Sequence, residues 1–123
     1  MKYLLLIYDE ERIWSKMSEA ERKKLMGEFM QFTDGIRESG HYKTGSQLQQ
    51  TPAAKSVQVR EGKRLVTDGP FAETREQLGG YILIEAKSME EAVDIAARVP
   101  SSKFGTVEIR PLVEMSAPAT AAR

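Results

Sequence analysis

Apolar residues recur along this chain with two different periods, and the two periods divide it into elements. Residues 2–8 (KYLLLIY) are apolar at every strand position after the first, so that Tyr3, Leu5 and Ile7 point to one face and Leu4, Leu6 and Tyr8 to the other. Such a strand needs cover on both sides: helices of the same chain supply one, and in a small domain a second subunit supplies the other. At residues 18–21 (SEAE) the S-x-x-E pattern of a capping box precedes Leu25, Phe29, Phe32 and Ile36 at helical spacing, which predicts a helix over 19–39 stopped by Gly40. The pattern repeats at 88–91 (SMEE), where Met89, Ala92, Ala96 and Val99 predict a second helix ending before Pro100. Strands are predicted at 42–48, 56–60, 64–67, 80–86 and 106–112, with Glu61, Gly62 and Lys63 as a tight hairpin turn.

The resulting order is β-α-β, a hairpin, then β-α-β, which predicts an α+β fold: a ferredoxin-like sandwich with an inserted β-hairpin. With 123 residues the chain has room for one core, taken here as a domain over 1–113. The small, polar, Pro-interrupted residues that follow, SAPATAAR among them, predict a disordered tail over 114–123.

Charge and composition remove several function classes. Eighteen basic residues against eighteen acidic ones leave no net field to gather nucleic-acid phosphates or anionic lipid. No apolar run approaches the roughly 20 residues that span a bilayer and no basic leader precedes one, so a soluble, cytoplasmic protein is expected. Without cysteine, and with His41 as the single histidine, disulfides, thiolate chemistry and tight zinc or copper sites are disfavoured. No cofactor is expected.

The stretch TDGPFAETREQLGG, residues 67–80, carries the densest candidate chemistry. Asp68 before Gly-Pro is either an Asx-turn acceptor or a general base at a cleft; Glu73 is the second catalytic candidate. Arg75 and Glu76 extend the cluster into a set able to orient a polar substrate or hold a hard cation weakly, against the plainer reading of a solvated loop. Phe71, Tyr81 and Trp14 are aromatic candidates for a pocket wall or for the core. His41, at the start of a strand just after a helix, is a candidate ligand contact or simply an exposed histidine.

The opening MKYLLLIY, the central GKRLVTDGPFAETREQLGGYILIEA and the later EEAVDIAARVP resemble the DGPF proteins of the YCII-related family, from Met1 to about Val113. That resemblance implies a ferredoxin-like fold dimerising sheet to sheet into an α/β barrel, with a cleft near the dimer interface. It also implies kinship with barrels that act on small, often aromatic molecules, a dehydrochlorinase of chlorinated hydroquinones among them, and an association with extracytoplasmic-function sigma factors. The YCII branch's helix histidine has no counterpart here, because its position falls near Glu28 or Phe29, and VPSSKFG after the second helix lacks the branch's aspartate. The leading expectation is a homodimeric enzyme or binder of a small organic molecule in a cleft beside residues 68–76. The competing expectation is a noncatalytic, ligand-sensing module linked to a sigma factor.

Overall fold

A computed structural model describes residues 1–114. Strand β1 (Lys2–Asp9) is followed by the short helix α1 (Glu11–Lys16), the long helix α2 (Glu19–Glu38) and strand β2 (Tyr42–Gln47). Two strands then form a ribbon, β3 (Lys55–Arg60) and β4 (Lys63–Asp68). Strand β5 (Gln77–Glu85), helix α3 (Met89–Ala97) and strand β6 (Thr106–Pro111) complete the fold. The four-stranded sheet is antiparallel in the order β2-β5-β1-β6, with helices on one face, an α+β arrangement consistent with the ferredoxin-like sandwich.

Alternation decides which face of β1 meets the helices. Tyr3, Leu5 and Ile7 are buried beneath them with Ile82 and Ile84 of β5, Phe32 and Ile36 of α2, and Ala92, Ile95 and Ala96 of α3. Leu4, Leu6 and Tyr8 are half-buried on the other face, beside Leu83, Tyr81 and Leu78 across the β1–β5 ladder. The fourth member of the buried set is not apolar. Asp9 continues the alternation of Tyr3, Leu5 and Ile7, and it is only 5% exposed.

Ser18 caps α2 in a complete capping box with Glu21, as its sequence predicts, and Gly40 (φ 83°) ends it. The inserted hairpin turns on two residues, Glu61 (φ 52°) and Gly62 (φ 78°), both left-handed as a type I′ turn requires. This ribbon is a separate two-stranded sheet tied at its base by Gly69 N–H donating to the Ala54 carbonyl and Ser56 Oγ donating to the Gly69 carbonyl. Two differences from the sequence reading matter for the site. Helix α1 has no side-chain cap and buries no residue, so nothing in its pattern announced it. Strand β5 begins three residues earlier than predicted, and Gly79 falls at an irregularity in the ladder between Leu78 and Gly80, which pair with Tyr8 and Ile7. The predicted tail, from residue 115 on, lies outside the described residues.

Candidate functional site

A cleft of about 390 Å³ lies between α2 and the β2–β5 side of the sheet. It exists because two helix-facing sheet positions have no side chain. Gly80 sits opposite Ile7 and Gly45 opposite Ile82, both partners belonging to the buried face. The backbone leaves little room for a side chain: a Cβ on Gly45 would stand 2.8 Å from the Tyr81 carbonyl oxygen, which excludes it without a shift, and one on Gly80 would stand a tight 3.1 Å from that of Ser46. Helix α2 roofs the gap with Met26, Phe29, Met30, Thr33 and Arg37, a stripe at helical spacing beside the Leu25, Phe32 and Ile36 stripe that enters the core. Two of the roof residues are methionines, whose flexible thioethers adapt to varied apolar shapes.

Asp9, Glu11 and Trp14 close one end of the cleft. Trp14 Nε1 donates to Asp9 Oδ1 at 2.9 Å, and among the described residues Oδ2 receives no hydrogen bond. Burial pushes the Asp9 carboxyl above its ordinary range; the indole hydrogen bond opposes this, and the nearby charges of Glu76 and Glu11 add to it. Glu11 is committed elsewhere, since its carboxylate accepts from Thr51 N and Thr51 Oγ1, each at 2.7 Å, pinning the β2–β3 connection over the cleft. Close approach of the start of β6 fixes the other flank of Asp9: a Cβ on Gly105 would lie 2.2 Å from the Tyr8 carbonyl oxygen and 2.9 Å from Asp9 Cβ. A carboxyl that is enclosed, oriented by one donor and tuned upward suits proton transfer to or from a bound molecule.

The residues singled out in the sequence divide between this cleft and other places. Asp68, 85% exposed, pairs with Lys55 at the base of the ribbon, Phe71 is 88% exposed, and Glu73 is exposed as well. None of the three lines the cleft. The downstream end of the same segment does approach it. Glu76 is half-buried and acts electrostatically on Asp9; Arg75 lies 3.6 Å from Glu10; and Gln77 Oε1 accepts from Glu11 N at 2.9 Å. Tyr81 borders the cleft, although alternation with the buried Gly80 and Ile82 sends its ring to the opposite sheet face. His41 directly precedes the lining residue Tyr42 but does not itself line the cleft. Its Nδ1 is 2.6 Å from Ser39 Oγ and its Nε2 is 3.4 Å from Glu91, joining the end of α2 to the start of α3. Asp9 directly follows the apolar run, and its signal in the sequence is the odd-numbered register of residues 3, 5, 7 and 9.

Residues 1–116 match the YCII-related domain, and the chain belongs to that family. An uncharacterised protein of Rhizobium meliloti (strain 1021), R00369, is 35% identical over 114 residues, which cover 91% of this chain and 92% of that protein. Among solved structures the fold is similar to TftG of Burkholderia phenoliruptrix AC1100, a 5-chloro-2-hydroxyhydroquinone dehydrochlorinase in complex with 2,5-dihydroxybenzoquinone. The TM-score is 0.53 at 12% identity, over 94% of this chain and 96% of that one. Among the described residues no helix is long and apolar enough to cross a membrane, and no group of three or more His, Asp or Glu side chains is arranged to hold a metal.

Proposed function

We propose that this member of the YCII-related family is an enzyme acting on a small organic molecule held between α2 and the sheet, with Asp9 as the group that gives or takes the proton. The observation that carries this reading is the enclosed Asp9 carboxyl, with one oxygen oriented by Trp14 and the other without a hydrogen-bond partner among the described residues, at the end of an apolar cleft. The dehydrochlorinase named above supports trying halogenated hydroquinones and hydroxyquinones first, followed by absorbance and by released halide. With a compound that is turned over, Asp9→Asn lowers kcat by at least about a hundredfold, the scale of a lost general acid or base, and Asp9→Glu restores part of it. Asp68→Asn is the paired variant. It leaves turnover unchanged if the cleft is the site, whereas loss with Asp68→Asn and not with Asp9→Asn moves the chemistry to residues 68–76.

The open sheet face supports a dimer in the same proposal. Leu4, Leu6, Tyr8, Tyr81 and Leu83 lie together on the side of the sheet away from the helices, and a second copy placed there would form the sheet-to-sheet barrel.

A further inference from the structure

We infer that the cleft selects organic anions with an elongated apolar body, and that Arg37 at the end opposite Asp9 receives the anionic group. This rests on the reading of the cleft as the ligand site and adds the chemical class it takes. Among the described residues Arg37 is the only cationic side chain lining the cleft; Arg22 adjoins the Trp14 end, where its guanidinium donates to the Met17 carbonyl. The guanidinium carbon of Arg37 lies 4.5 Å from the centroid of the Tyr42 ring, so the planar group is held by an aromatic face at the mouth. Among the described residues its one ion-pair partner is Asp34, at 3.5 Å through Nη1 alone, with both side chains exposed. Such a pair contributes little and leaves most of the guanidinium donors available to a carboxylate or phenolate.

Sheet register sets the length of the ligand. Tyr42 is opposite Ile84, which is opposite Tyr3, and Asp9 lies farther along that same strand. At about 3.3 Å per residue the two ends are roughly 20 Å apart along β1. A single small ring reaches one end only, whereas a chain-like or aryl-alkyl body with its anionic group on Arg37 runs from there along the apolar walls toward Asp9. Between the ends the walls include Ile7, Ile82, Phe29, Met26 and Met30, none of which is charged.

Octanoate, octanamide and octylamine share one body and differ in charge, so calorimetric titration of each separates the terms. Octanoate is expected to bind about tenfold tighter than octanamide, and octylamine more weakly still, a difference of about 1.4 kcal/mol between the first two. Arg37→Gln should bring octanoate down to the amide without altering the amide, and Asp34→Asn, which removes the competing carboxylate, should tighten octanoate. Thr33→Phe, which fills the cleft from α2, should abolish binding of all three, with thermal melts confirming that each variant folds. Equal affinity for octanoate and octanamide, both lost in Thr33→Phe, overturns the anion inference and leaves the cleft standing. Tighter binding of octylamine, or a preference for octanoate that survives Arg37→Gln, overturns it likewise. Absence of saturable binding by any of the three, or binding indifferent to Thr33→Phe, overturns the inference, and the cleft reading is then decided separately by the effect of Asp9→Asn on turnover.

Discussion

At Asp9, burial and chemistry pull against each other. A carboxyl in this position is costly to ionise, so the folded state holds its proton to higher pH than the unfolded chain does. Between the ordinary value of 3.8 and the raised one, the folded state therefore binds more protons than the unfolded state, and stability falls as pH rises through that window. Glu10, Glu21, Glu85 and Glu91 act in the opposite sense. Hydrogen bonds hold their carboxyls below the usual range, so their contribution is present above it and is lost on acidification. The difference between wild type and Asp9→Asn isolates the first effect. It should be small in acid, grow as pH rises through Asp9's ionisation and then level off, with the variant the more stable protein at neutral pH; denaturant titrations across pH measure it. A site residue whose removal stabilises the fold is the usual sign that function, rather than packing, maintains it.

Among the elements, α2 and β2 respond to the same substitution with opposite signs. Gly27 is exposed inside α2 with nothing within 4 Å of an added methyl, so Gly27→Ala should stabilise by about 0.5–1 kcal/mol through helix propensity and unfolded-state entropy. Gly45→Ala drives a methyl against the Tyr81 carbonyl and should cost about 1–3 kcal/mol, measurable in the same urea titration. Elements with a period and a cap were legible from the sequence: α2 behind Ser18, α3 behind Ser88, the first strand, and the hairpin turn at Glu61 and Gly62. Helix α1 was not, because six residues with neither cap nor buried face carry no periodic signal. The cleft was illegible for a related reason. It is an absence of side chains at Gly45 and Gly80, positions that become neighbours only through pairing of β2 with β5, and sequence spacing does not show which glycines will meet. Charge density drew the reading to residues 68–76; the carboxylate in the cleft is a single residue whose importance comes from burial.

For the whole molecule, the two faces of the sheet carry different tests. If the open face binds a second copy, Leu6→Lys places a charge at its centre while leaving the helix-side core untouched, and sedimentation should find a folded monomer where wild type is a dimer. A wild type that sediments as a monomer at micromolar concentration removes the barrel from the proposal. Asp9's neighbour gives the intact molecule another property. Trp14 is the single tryptophan of the chain, and its indole N–H rests on the buried carboxylate. Light emitted by the native protein on tryptophan excitation therefore comes from one spot, and its colour and intensity should follow the charge on Asp9 and the displacement of water beside it. The protein carries its own indicator dye at the end of the cleft, readable without a label and before any substrate is known.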